Sequence, residues 1–249
     1  MAGHSHAKNV AVRKGKQDAQ RAKIFTKVAR EITAACKAGM PDPAHNPRLR
    51  AAIRKALAEN ITRDKIDDTI KRASGAGNTE NYDEMRYEGY GAGGVAIIVE
   101  ALTDNRNRTA SEVRAAFTKF GGNLGETGSV NFMFDRVGVV TYPLAKASEE
   151  AMLEAAIEAG ADNCESDKEQ HMVTCSPDTF GSVRASLEKK FGEPQSAKFV
   201  WQPKSTTAVN EEQASSLLKL IDALEDNDDV QEVFANYDIA EDVLERLSA

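Results

Sequence analysis

Apolar residues recur at helical spacing near the start of the chain. At about 100° per residue, Ile24, Val28, Ile32 and Ala35, with Phe25 and Cys36, fall on one arc, which predicts a single helix over residues 13–37. Arg13, Lys16, Lys23, Lys27 and Arg30 fall on another arc, roughly 130° away by the same arithmetic. One stripe is therefore expected to pack and the other to face out, positively charged. Pro41-Asp42-Pro43 breaks the chain, and Asn46-Pro47 has the form of a helix start, Asn as N-cap and Pro in the first turn. That second helix is expected to run to Glu59. A third, capped by Thr62, should run to Ala73 before Gly75. Three helices around one small core is the expected first domain, residues 1–75.

Residues 75–81 have the composition of a flexible linker, and beyond them the pattern becomes mixed. Residues 95–101 are apolar except for Glu100, hence a buried strand; 109–120 read as a helix and 130–134 as a strand. A second mixed set follows: strand 139–142, helix 149–159, a hairpin of 163–167 and 171–175, helix 179–191 and strand 197–201. Its β-α-β-β-α-β order is the split βαβ, or ferredoxin-like, arrangement. After Pro203 come a helix, 210–224, and a strand, 230–235, which supply the half that the first mixed set lacks. The expected fold class is thus α+β: a three-helix domain, then two ferredoxin-like domains, one inserted in the other. The boundaries are 1–75, then 82–135 with 204–249, and 136–203 as the insert.

Charge sharpens this division. The 249 residues carry a formal net charge of −7. Residues 1–75 hold 17 Lys and Arg against 7 Asp and Glu, whereas the remainder holds 15 against 32. A basic end attracts phosphate backbones and an acidic body repels them, confining contact to one end. The alternative is a basic domain docked on the acidic ones. With 41% hydrophobic and 29% charged residues, the composition is that of a globular protein. No apolar run reaches the ~18 residues of a membrane span, and the N-terminus has no secretory apolar segment, so a cytoplasmic protein without membrane contact is expected. Cys36, Cys164 and Cys175 are too scattered for a disulfide framework or a zinc site and read as free thiols.

The motifs point away from catalysis. Gly89-Tyr90-Gly91-Ala92-Gly93-Gly94 matches GxGxxG, but a dinucleotide site needs a helix after it, and here a strand follows. Arg106 and Arg108 lie on the loop from Asp104 to Thr109, between a strand and a helix, where they can hold a phosphate or merely accompany a polar cap. A helix-turn-helix over residues 47–73 would place Asp64, Asp67 and Asp68 at the start of its recognition helix, against the phosphates flanking the groove. His4 and His6 invite a copper or nickel chelate at an Ala-Gly-His terminus, but no metal site is expected, nor any cofactor. No Ser–His–Asp, P-loop or zinc spacing is present. Asp226-Asn227-Asp228-Asp229 reads as a solvated turn. The candidate nucleic-acid contacts are Lys8, Arg13, Lys14, Lys16, Arg21, Lys23, Lys27 and Arg30.

Met1-Ala2-Gly3-His4-Ser5, Gln17-Asp18-Ala19, Lys23-Ile24-Phe25-Thr26-Lys27 and Asn46-Pro47-Arg48-Leu49 closely resemble the YebC family. So do Thr103-Asp104-Asn105-Arg106-Asn107-Arg108-Thr109 and Gly121-Gly122-Asn123-Leu124-Gly125. The resemblance implies a three-domain α+β protein that regulates gene expression without catalysis. Bacterial members are described as DNA-binding transcriptional regulators, mitochondrial relatives as translational activators, and ribosome-associated roles have been proposed for bacterial members too. DNA or ribosomal RNA is thus the expected partner, with the ribosome or a protein recruited by the acidic domains. Where the family typically reads Lys-Trp-Ala-Asn-Ile-Lys-His-Arg-Lys, this chain has residues 6–14, without the aromatic and one histidine. A base-stacking contribution of ~1–3 kcal/mol would go with that aromatic, while phosphate contact through Arg13 and Lys14 would remain.

Overall fold

The computed structural model describes residues 17–75 and 77–248. The chain divides into two compact units, Asp135–Gln202 and the flanking Met1–Phe134 with Pro203–Ala249.

In the flanking unit, helices α1 (Gln17–Ala38), α2 (Pro47–Ala58) and α3 (Arg63–Ser74) enclose a core of their own. Val28, Ile32 and Ala35 of α1 meet Leu49, Ala52 and Ala56 of α2 and Ile66 and Ala73 of α3, as the helical periodicity predicts. Asn46 caps α2, its side-chain oxygen accepting the Leu49 N–H at 3.0 Å. Its amide group reaches back to the carbonyls of Ala35 and Met40, both at 2.8 Å, tying the end of α1 to the start of α2. Thr62 holds the N-cap position of α3 but makes no side-chain cap.

The rest of this unit is a four-stranded sheet in the order β3-β1-β2-β9, formed by Asn123–Leu124, Asp83–Tyr90, Ala96–Thr103 and Val230–Ala235. Helices α4 (Arg106–Lys119) and α7 (Glu211–Glu225) pack Val113, Phe117, Leu217, Leu220 and Leu224 against Ile97, Val99 and Ala101 of β2. The other face of β2 is buried too, Ile98 completely and Leu102 at 3% exposure. Burial on both faces accounts for the nearly continuous apolar run, which the half-buried Glu100 interrupts. The late helix and strand do complete this sheet. Sequence periodicity missed β1, which precedes β2 as an antiparallel hairpin partner and sits between β2 and β3. It also misjudged residues 130–134: Asn131–Met133 is a 3-10 turn, and strand β4 (Phe134–Pro143) starts only after it. The short α8 (Glu241–Ser248) and the parallel pair β8 (Thr207–Ala208) and β10 (Tyr237–Asp238) were likewise not foreseen.

The other unit runs β4, α5 (Glu149–Glu158), β5 (Asn163–Ser166), β6 (Gln170–Cys175), α6 (Phe180–Phe191) and β7 (Ser196–Pro203), with sheet order β5-β6-β4-β7. Val140, Tyr142, Val173, Met152 and Leu187 form its core. His171 is fully buried, its ring held by Ser166 Oγ at 2.6 Å and the Ala147 carbonyl at 3.0 Å. Such a histidine is structural.

Glycine carries weight at one crossing in the first sheet. A Cβ on Gly89 would lie 2.6 Å from the Asn123 carbonyl oxygen and 2.8 Å from the Phe117 ring, and backbone cannot yield as a flexible side chain does. Gly89→Ala is predicted to destabilise the protein by about 1–3 kcal/mol through overpacking. Gly181→Ala, in a helix with open space around it, should be neutral or stabilising by up to about 1 kcal/mol. Urea unfolding of the two variants checks the contrast.

Candidate nucleic-acid interface

Lys23, Lys27 and Arg30 share one face of α1, at intervals of four and three residues, as the periodicity predicts. That face is occupied. Lys23 pairs with Asp226 at 2.9 Å, and the Lys27 ammonium donates to the Glu225 carbonyl at 2.6 Å. Arg30 pairs with Asp229, donates to the Leu102 carbonyl at 3.3 Å, and lies 5.5 Å from the Tyr82 ring centroid. All three cations thus meet the segment from the end of α7 to the start of β9. Burial lowers the Lys27 pKa to about 8, although Glu225, Asp226 and Asp228 pull it the other way.

Asp229 is the centre of this contact. The residue is 2% exposed. Its Oδ2 accepts Arg108 at 2.7 Å, the Thr109 hydroxyl at 2.5 Å and the Thr103 hydroxyl at 3.2 Å, while Oδ1 takes Arg30. Its backbone carbonyl accepts the Leu102 N–H at 2.8 Å. Burial alone would raise its pKa, but the hydrogen bonds from Arg108, Thr109 and Arg30 outweigh it and hold the group at about 2. The run of acids at 226–229 is therefore not a uniform solvated turn: Asp226 and Asp228 are exposed and Asp229 is not. The signal for this lay in Asp229 directly preceding the apolar strand β9.

Further cations of the helical domain meet the acidic body in the same way. Arg48 bridges Glu31 at 2.8 Å and Glu84 at 2.5 Å, and Lys55 lies 4.0 Å from Glu232. The helical core and the core above it share no residue. Ion pairs and hydrogen bonds run between them. Exposed pairs contribute about 0–1 kcal/mol each, whereas Asp229 is buried.

Arg106 and Arg108 do not converge on one anion. Arg106 donates to Asp83 at 2.8 Å, and Arg108 bridges Asp104 and Asp229, both at 2.7 Å. The loop that was to carry them is mostly the first turn of α4, capped by Asn105 through the Arg108 N–H at 3.1 Å. Lys8, Arg13, Lys14 and Lys16 lie outside the described residues, as do His4, His6 and the side chain of Arg21. On α3, Arg63, Lys65, Lys71 and Arg72 are exposed, but so are Asp64, Asp67 and Asp68. No helix among the described residues is long and apolar enough to cross a membrane.

Residues 5–76 match a family model described as the TACO1/YebC protein N-terminal domain, and residues 82–237 match the Transcrip_reg model, described as the TACO1/YebC second and third domain. A crystal structure of a conserved hypothetical protein from Aquifex aeolicus, Aq1575, is similar at 46% sequence identity and TM-score 0.82, covering 92% of this chain and 95% of that one.

The contribution of Asp229 to stability is full above its ordinary pKa of 3.8 and is lost as pH falls toward about 2, because the folded state holds that proton less tightly than the unfolded state. Asp229→Asn is predicted to cost about 2–3 kcal/mol at neutral pH by removing the buried carboxylate that Arg30 and Arg108 pair with. The gap from the unsubstituted protein should narrow in that acid window. Urea unfolding across a pH series reads it, and a gap independent of pH would mean that charge is not what Asp229 contributes.

Proposed function

The chain belongs to the TACO1/YebC family, and from that premise we propose that it regulates gene expression by binding nucleic acid through its basic N-terminal domain, without catalysis. The observation that carries this reading is the occupied face of α1. Lys23, Lys27 and Arg30 are set along one helix face about 6 Å and 4.5 Å apart, and each already holds an anionic or carbonyl oxygen. A phosphate backbone offers the same kind of ligand, an anionic oxygen repeated at roughly 3.4 Å of axis per nucleotide on one strand. The Glu225–Asp229 segment is then a built-in competitor: nucleic acid gains the α1 face by displacing Asp226 and the Glu225 carbonyl. Lys8, Arg13, Lys14, Lys16 and Arg21 would add further phosphate contacts. The acidic body is left to recruit a protein partner.

Promoter DNA is the target that the transcriptional reading names. A second reading, a ribosome-associated translation factor binding ribosomal RNA, is favoured by the exposed Asp64, Asp67 and Asp68 at the start of α3. Acids there suit the helix dipole and oppose insertion into a major groove.

Binding to labelled duplex DNA and to ribosomes at matched salt tests both. Affinity is predicted to fall steeply with salt, by about 0.9 log units per log unit of salt for each phosphate neutralised on DNA. Neutralising the exposed competitor with Glu225→Gln, Asp226→Asn and Asp228→Asn together should tighten binding by about tenfold, one to two ion pairs' worth of competition. No binding by either protein at about 50 mM salt would overturn the function. Binding by both with equal affinity would overturn the competitor.

A further inference from the structure

The segment between β3 and β4 combines tight anchoring with an unusual exposure. Glu88, near the end of β1, is 1% exposed. Its Oε2 accepts the N–H groups of Val130 and Asn131, each at 3.0 Å, and Arg86 lies 3.1 Å from its Oε1. Burial by itself would raise the pKa of this carboxyl, but those N–H groups, that of Gly128 and the Arg86 charge hold it below the ordinary value. The Glu88 carbonyl accepts the Gly125 N–H at 2.8 Å, and the Tyr90 hydroxyl donates to the Ser129 carbonyl at 3.0 Å. The start of the loop packs closely: a Cβ on Gly125 would lie 2.5 Å from Ser129 Oγ, and one on Gly122, just before β3, 2.7 Å from the Tyr90 carbonyl oxygen.

What this anchoring presents is Phe132. Val130 is fully buried and Phe134 is 3% exposed, yet Phe132, on the 3-10 turn between them, is 64% exposed. Among the described residues its ring pairs with no other ring and lies under no cation. Leaving a Phe in water forgoes roughly 1.5–3 kcal/mol of burial, and a buried carboxylate is an expensive anchor for a loop that serves only to connect two strands. A ring held rigidly in solvent loses little freedom when something stacks on it. The Lys204 N–H donates to the Met133 carbonyl at 2.9 Å, which brings a lysine to the same turn.

We propose that Phe132 is a stacking platform for an unpaired nucleobase, in single-stranded RNA or DNA. The proposal rests on the nucleic-acid reading above but uses a different part of the molecule. Every base has a π-face, so one aromatic ring accepts any of them. A paired base inside a duplex offers no such face, so single strands, loops and frayed ends are the ligands that fit. Glu88 acts as a positioning residue, since it touches the backbone on the N-terminal side of Phe132 and not the ligand.

The test is anisotropy titration of the full chain with labelled oligo-U, oligo-dT and a duplex of equal length, using Phe132→Ala, Phe132→Leu and Phe132→Tyr. The ring is exposed, so all three should fold, with melting curves as the control. Ala and Leu are predicted to weaken single-strand binding by about 5- to 150-fold, the loss expected for one stacked base. Tyr should keep it, and duplex binding should not change. A 2-aminopurine base in the oligonucleotide should be quenched by the protein with Phe132 or Tyr and not by the Ala variant. Comparison of oligo-U with oligo-dT tells which source of the base is preferred. Equal binding by the Ala variant would overturn the proposal, as would full activity of Leu, which would make the contact apolar without stacking. Failure of the parent chain to bind any of these ligands would overturn the nucleic-acid reading as well.

Discussion

A single carboxylate, that of Asp229, is the constraint on which the arrangement of the flanking unit depends. It lies where β2 ends, α4 begins and β9 begins, and it takes hydrogen bonds from all but the last of these as well as from α1. A buried charge without partners would be untenable. With two arginines and two hydroxyls around it, it becomes a joint that sets where α4 starts and where the basic helix rests. Oxygen and nitrogen positions must all be met together for the ion to stay buried, so the joint tolerates few alternatives.

Around that joint the contact is of another kind. Lys23, Lys27, Arg48 and Lys55 reach oxygens on the acidic body at half-buried to exposed positions, and the helical core remains distinct from the core of the sheet. Apolar burial makes each core, while ion pairs and hydrogen bonds run between them. This division explains the composition. A chain of net −7 with its cations gathered in the first 75 residues can dock its ends on each other, and an interaction made of charge can be exchanged for another anion. The same pairing that holds the domain in place therefore keeps its phosphate-like contacts ready, and salt should weaken both.

Most of the architecture was legible in periodicity. The three helices, the β-α-β-β-α-β order of residues 134–203 and the return of the chain through α7 and β9 follow from apolar spacing and from Asn46-Pro47. What escaped was governed by tertiary partners. In β1, Met85 and Tyr87 alternate with Glu84, Arg86 and Glu88, a strand pattern, but the glycines after it drew attention to a nucleotide motif. A strand was expected over residues 130–134, yet Val130 and Asn131 hydrogen-bond to Glu88 rather than to a neighbouring strand. At the candidate site, helical geometry put Lys23, Lys27 and Arg30 on one face, and no local rule could say that the acids 200 residues later cover it. Asp229 was mistaken for a solvated residue because its partners, Arg30, Thr103, Arg108 and Thr109, are distant in sequence. Of the candidate contacts, Lys8, Arg13, Lys14 and Lys16 fall outside the described residues.

The most direct measurement is a double-mutant cycle on unfolding free energy with Arg30→Met and Asp229→Asn, singly and together. If the buried carboxylate joins the helical domain to the sheet, the two changes should be coupled by at least about 1.5 kcal/mol, within the range seen for residues in one hydrogen-bond network. Additivity to within about 0.5 kcal/mol would contradict it, and would mean that the basic helix is held to the body by something other than Asp229.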